Sequence, residues 1–163
     1  MRLIITIFLV TLMACKTQKK DTVKTEKSAE VVQTEIDHNQ QDNIQCNQEI
    51  CLQLRNHDAS KQSFDIYMLN SIPIAGFQCD FQGINLIGSD GGLLKENGYQ
   101  TSNSASRILS FSMQAKLIPI GEGILTTIFY SDLAEEVCMT EIIFAGIGGE
   151  QLSNNAPECM MLN

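Results

Sequence analysis

Ser63-Phe64-Asp65-Ile66-Tyr67-Met68-Leu69 alternates apolar and polar side chains with a period of two, so Phe64, Ile66 and Met68 share one face while Asp65 lies on the other. Phe77, Cys79 and Phe81 repeat the pattern against Gln78, Asp80 and Gln82, which places a cysteine inward between two phenylalanines. Leu109, Phe111 and Met113 alternate with Ser110 and Ser112 in the same manner and are assigned to the core face. Ile124-Leu125-Thr126-Thr127-Ile128-Phe129-Tyr130, entered from Gly121-Glu122-Gly123, is apolar on both faces and reads as a central strand. Val137 to Phe144 reads as a further strand that ends at Ala145-Gly146-Ile147-Gly148-Gly149. The one helix-like stretch, Gly92 to Gly98, is at most two turns. Strands at this spacing, with no long helix to carry a parallel crossover, predict an all-β fold, an antiparallel two-sheet β-sandwich.

The chain begins differently. Behind Met1-Arg2, the apolar run Leu3 to Met13 is too short to span a hydrocarbon core of ~30 Å as a helix, but it matches the core of a signal peptide. It ends in Leu12-Met13-Ala14-Cys15, which resembles the lipobox of bacterial lipoproteins. That resemblance implies cleavage before Cys15, diacylglycerol on its thiol and an acyl chain such as palmitate on its amine. The alternative is an ordinary secretory signal in which Cys15 is incidental. Residues 1–14 are therefore expected to be a lipoprotein signal peptide, and the protein to sit lipid-anchored in a bacterial cell envelope, at the outer membrane on its periplasmic or surface face.

Residues 15–45 follow as the lipidated cysteine and a polar linker. The stretch from Lys16 to Gln45 is rich in Lys, Gln, Thr, Glu and Asn and cannot bury enough apolar surface to offset the entropy of ordering. A disordered coil of ~30 residues spans roughly 30 Å, enough to hold a folded unit clear of a membrane. Without Arg2 the chain keeps 10 basic and 19 acidic side chains, which disfavours nucleic acid as a partner. The remainder, residues 46–163, is one domain by length, with five basic and thirteen acidic residues.

Several segments resemble, in order, the cohesin-like domains related to carbohydrate-binding β-sandwiches. These are Phe64-Asp65-Ile66-Tyr67-Met68, Ile72-Pro73-Ile74-Ala75-Gly76-Phe77-Gln78-Cys79-Asp80, Gly91-Gly92-Leu93, Ile108-Leu109-Ser110-Phe111-Ser112 and Ile118-Pro119-Ile120-Gly121-Glu122-Gly123-Ile124-Leu125. The likeness spans Ile50 to Leu152, with Ser110 where glycine is expected. It implies a jelly-roll sandwich of about nine strands that binds another molecule, either a docking protein on one sheet face or a glycan on an exposed face or loops. The matching segments are packing segments, so the resemblance speaks to architecture and carries no contact residue over.

No reaction centre is legible. His38 lies in the linker and His57 in Arg55-Asn56-His57-Asp58, read as a solvated turn, so no catalytic residue is assigned. No zinc spacing occurs, and no metal site or cofactor is assigned. Asp90, Asp132, Glu135 and Glu136 fall in or near turns and leave calcium as a weak option, since hard oxygen ligands suit that cation. The chain has no tryptophan, which leaves Tyr67, Tyr99 and Tyr130 as the amphipathic ligand-contact candidates.

Beyond Cys15 there are five cysteines, an odd number in a compartment that favours disulfides. Cys79, between Phe77 and Phe81, is the candidate for a buried free thiol. The favoured pairing of the rest is Cys46 with Cys51 and Cys138 with Cys159, the second worth ~3 kcal/mol in the chain-entropy account. The rival pairing joins an N-terminal cysteine to Cys159, and spacing alone does not separate the two. The functional expectation is a membrane-anchored lipoprotein that displays a non-catalytic module for docking a protein partner. Polysaccharide binding is the alternative, and a glycan-active enzyme the least favoured class.

Overall fold

The computed structural model describes residues 46–162. The signal peptide, the lipidation motif at Cys15 and the polar linker up to residue 45 lie outside the described residues. Within them the chain forms β1 (Ile50–Asp58), β2 (Ser63–Asn70), β3 (Gly76–Asp90), a short helix α1 (Gly92–Glu96), β4 (Gln100–Asn103), β5 (Arg107–Phe111), β6 (Gly121–Ala145), a 3-10 turn at Ile147–Gly149, β7 (Gln151–Leu152) and β8 (Met160–Met161). The fold is an antiparallel β-sandwich of eight strands among the described residues, fewer than the nine expected.

The count is lower because two strands serve both layers. The runs expected as separate strands at Ile124–Tyr130 and Val137–Phe144 belong to one strand, β6, of 25 residues. Its first part pairs with β2, from Asn70↔Gly121 to Ser63↔Phe129, and the ladder with β3 runs from Asp90↔Thr127 to Gly76↔Ala145. One layer therefore holds β1, β2 and the first part of β6, and the other holds β4, β5, the first part of β3 and the end of β6. Bulges turn the strands from one layer to the other. Between Gln82↔Cys138 and Ile84↔Leu133, β6 advances five residues while β3 advances two. Gly83 sits at that point with φ +80°, and a Cβ there would lie 2.0 Å from the Glu136 carbonyl oxygen, so only glycine fits.

The core lies between the layers. Phe64, Ile66 and Met68 of β2 are buried, as are Phe77, Cys79 and Phe81 of β3. Phe64 meets Phe81 edge-on with ring centroids 6.1 Å apart, and Phe77 stacks on Phe144 at 4.7 Å. The remaining gap at the β1 edge is closed by the C-terminal segment. Ile50 N donates to Ser153 O at 3.1 Å, Asn155 N donates to Ile50 O at 3.2 Å, and Glu49 Oε2 accepts from both the backbone N–H and the hydroxyl of Ser153.

One expected phase is inverted. In β5 the buried residues are Ile108 and Ser110, while Leu109 and Phe111 face solvent and Met113, beyond the strand, is exposed. The register requires this: β5 pairs Cys79↔Ile108 and Phe77↔Ser110, so residues opposite inward β3 side chains must also point inward. Ser110 is tolerated in the core because its hydroxyl bonds to Thr101 Oγ1 at 2.6 Å.

Candidate functional site

The inverted phase of β5 leaves apolar side chains on the outer face of the sheet. Phe77, Cys79 and Phe81 point inward, so Gly76, Gln78 and Asp80 point outward on β3. Gln78 is flanked by Leu109 on one side and Ile143 on the other, and Gly76 by Phe111 and Ala145. Leu109, Phe111 and Ile143 keep 42, 40 and 39% of their surface exposed. With the small Gly76 and Ala145 as floor, they border a shallow concavity of about 360 Å³ whose lining is mostly apolar.

The next row along the strands is polar. Arg107 and Asp80 face each other across β5 and β3 in a two-pronged ion pair, with Arg107 Nη2 to Asp80 Oδ2 at 2.6 Å and Nε bonded to Oδ1. The guanidinium holds the Asp80 carboxyl below the usual carboxylate range. Planar pairing of this kind fixes both side chains at the border of the apolar patch. The arrangement is an apolar centre bounded by a charged row, the anatomy of a protein interface.

The sequence-assigned candidates fall elsewhere. Tyr99 is buried, and its hydroxyl donates to the carbonyls of Ile74 at 2.7 Å and Lys116 at 3.1 Å. Tyr130 is 4% exposed and its hydroxyl bonds to His57 Nε2 at 2.7 Å. Tyr67 is half-buried, with the Arg55 guanidinium 3.9 Å over its ring centroid. Tyr99 and Tyr130 are thus buried, which corrects their assignment as exposed ligand contacts, while Arg55 covers one face of the half-buried Tyr67 ring. His57 is solvent-exposed as expected but lies in β1 rather than in a turn, stacked on Tyr130 with centroids 6.1 Å apart.

The four carboxylates considered for calcium are divided. Asp90 pairs with Lys95 Nζ at 2.7 Å. Asp132 is the register partner of Asn85, five positions along β3 from Asp90, a separation of roughly 17 Å at ~3.4 Å per residue. Glu135 and Glu136 are exposed on the β6 bulge. Among the described residues one group with ligand spacing does occur, Glu136 with Cys138 and Cys159, but its two sulfurs are bonded to each other.

In the structure Cys46 is bonded to Cys51 with Cα atoms 5.8 Å apart, and Cys138 to Cys159 at 4.4 Å. The second bond ties the C-terminal segment to β6, beside the pairing of β8 with Glu136 and Val137. Cys79 is a buried free thiol, and burial raises its pKa well above the ordinary value.

Sequence reading missed Leu109, Phe111 and Ile143 as surface residues. The available signal was apolarity on both faces of Ile108–Phe111 and of Ile142–Phe144, which a strand with one wet face does not need.

No family model matches the chain, and no curated protein matches it. Among solved structures it is similar to a chain of the CaDoc0917–CaCohA2 complex, with a TM-score of 0.48 and 11% identity over 68% of this chain and 95% of that one. It is also similar to a non-cellulosomal cohesin from the hyperthermophilic archaeon Archaeoglobus fulgidus, with a TM-score of 0.45 and 10% identity over 70% of this chain and 88% of that one. What the surface can bind is decided by this chain's own residues.

Proposed function

We propose that this protein is a lipid-anchored, non-catalytic docking module of a bacterial cell envelope that engages a protein partner through the outer face of β5, β3 and β6. The observation that carries the proposal is the set of three large apolar side chains, Leu109, Phe111 and Ile143, in adjoining register positions and two-fifths exposed. Apolar surface grouped in this way is costly to leave in water and gains free energy when a partner covers it. A flat polysaccharide surface has less to stand on, because Tyr99 and Tyr130 are buried and Arg55 covers the Tyr67 ring. Anchoring rests on the Leu12-Met13-Ala14-Cys15 motif.

The test is site-specific photo-crosslinking of the full chain in the envelope of a bacterium that produces it. A photoreactive residue at position 109 or 143 is expected to give one discrete heteromeric adduct, while the same residue at position 61, on the β1–β2 turn, gives none. Identical adducts at all three positions, or no adduct at 109 and 143, contradict the proposal.

A further inference from the structure

Three large apolar side chains stand outside the core at one end of the sandwich. Met113, Ile120 and Ile147 keep 70, 62 and 65% of their surface exposed. Met113 and Ile120 belong to the β5–β6 connection and Ile147 to the β6–β7 turn, and strand pairing brings them to the same end. Gly76↔Phe111 closes the β3–β5 ladder two residues before Met113, and Ala75 N donates to Ala145 O at 2.7 Å, two residues before Ile147. Ile118 bridges Ile74 and Gly121 pairs with Asn70, so Ile120 sits between those two pairings. The described chain also begins at this end: Cys46 is bonded to Cys51 of β1, and Glu49 O accepts from Ser71 N at 2.8 Å, one residue past Asn70. The β1–β2 turn, beyond Asp58 and Ser63, lies at the opposite end.

Two of the three are presented by closed turns. Around Ile147, Gly149 N donates to Gly146 O at 3.1 Å and Gly146 N to Glu150 O at 2.8 Å. Around Met113, Ser112 Oγ accepts from Gln114 N at 3.3 Å and from Lys116 N at 3.1 Å. Apolar side chains held outward on fixed backbone are costly in water and lose little entropy when they are covered. Lys116, exposed beside them, is in no ion pair among the described residues. Of the carboxylates nearby, Glu49 accepts from Ser153 and Glu122 from the Tyr67 hydroxyl, while Glu150 lies back over Gly146. Apolar tips with an unpaired amine beside them suit the boundary between acyl chains and phosphate headgroups.

We infer that this end of the sandwich lies against the phospholipid bilayer, with Met113, Ile120 and Ile147 inserted at its surface. The inference depends on the anchoring proposed at Cys15. About 30 residues separate Cys15 from Cys46, a coil spanning roughly 30 Å, which keeps the tips at a high local concentration of lipid and lets a weak contact persist. The strands then rise away from the membrane, and the outer face of β5, β3 and β6 is left open to a protein partner.

The chain has no tryptophan, so a single one introduced at a tip reports its own surroundings. The test uses the full chain, purified from the membranes of producing cells and reconstituted in vesicles of phosphatidylethanolamine and phosphatidylcholine. Met113→Trp, Ile120→Trp and Ile147→Trp are compared with Lys61→Trp on the opposite turn. Emission from the three tips is expected to shift to the blue and to lose intensity when the acyl chains are brominated, with the Lys61→Trp signal unchanged. Vesicle-bound chain whose three tips emit as Lys61→Trp does overturns the inference and leaves the anchoring intact. A chain absent from the vesicle fraction overturns the anchoring and the inference with it. A photoreactive residue at position 147 that captures the same protein as one at position 109 overturns it in favour of a larger docking face.

Discussion

Asn155 grips Leu52 by both of its backbone groups: Leu52 N–H donates to Asn155 Oδ1 at 2.7 Å, and Asn155 Nδ2 donates to the Leu52 carbonyl at 3.3 Å. A side chain here does the work of a neighbouring strand, satisfying the outer edge of β1 at a fully buried residue. Asn155→Ala leaves a dry amide unpaired and is expected to cost about 1–3 kcal/mol, read as a lower urea midpoint. Asn155→Asp keeps the acceptor and loses the donor, so it should fall between. An unchanged midpoint for the alanine variant would show that the C-terminal segment does not close the sandwich.

The inverted phase of β5 separates two neighbouring residues sharply. Ile108→Ala removes a fully buried side chain and is expected to cost about 2–5 kcal/mol. Leu109→Ser changes a residue 42% exposed and should move stability by no more than about 0.5 kcal/mol, while removing crosslinking and partner capture at the apolar face. The reverse order of stabilities in chemical denaturation would restore Leu109 to the core.

Why β2 and β3 were legible and β5 was not follows from what surrounds each. Phe64, Ile66 and Met68, like Phe77, Cys79 and Phe81, have polar residues on the alternate positions, so period two has one solution. Ile108-Leu109-Ser110-Phe111 offers two, and counting apolar residues selects the wrong one, because the structure buries a serine and leaves a leucine and a phenylalanine outside. The phase is set by pairing with β3, some thirty residues earlier. The union of two expected strands into β6 depends on bulges opposite β3, and the Asn155 clasp joins residues 103 apart, so local pattern reports neither.

Acid should expose the carboxylate clasps. Hydrogen bonds from Ser60 and from Lys61 hold the Asp58 carboxyl far below the usual carboxylate range, and the Arg107 pair lowers that of Asp80. A folded-state pKa depressed below the unfolded one gives stabilisation that is present above about pH 4 and lost as pH falls through the folded value. The thermal midpoint of the parent should therefore exceed that of Asp58→Asn at neutral pH, and the gap should narrow as pH falls below 4. A gap independent of pH would sink this account.

Cys79 is expected to be chemically silent in the folded state, since burial keeps it in the thiol form. A maleimide reagent at pH 8 should leave it unmodified in native protein and alkylate it fully in denaturant, with mass spectrometry as the readout. Labelling of native protein at Cys79 would contradict its burial.

Anchoring makes a separate prediction. Labelled palmitate fed to producing cells should enter the protein, and Cys15→Ser should abolish that label and move the chain out of the membrane fraction. Retention of the label in that variant would count against lipid attachment at Cys15.

Under the anchoring proposed at Cys15, the Cys46–Cys51 bond would also have a mechanical meaning. Tension arriving through residue 45 passes by sulfur directly to Cys51, so residues 47–50 are spared the load. The first backbone to feel the pull already lies inside β1, with Met68 of β2 beside Leu52 on one flank and Asn155 on the other. A tug on the leash is thereby delivered to the middle of the fabric instead of to a loose thread at its hem.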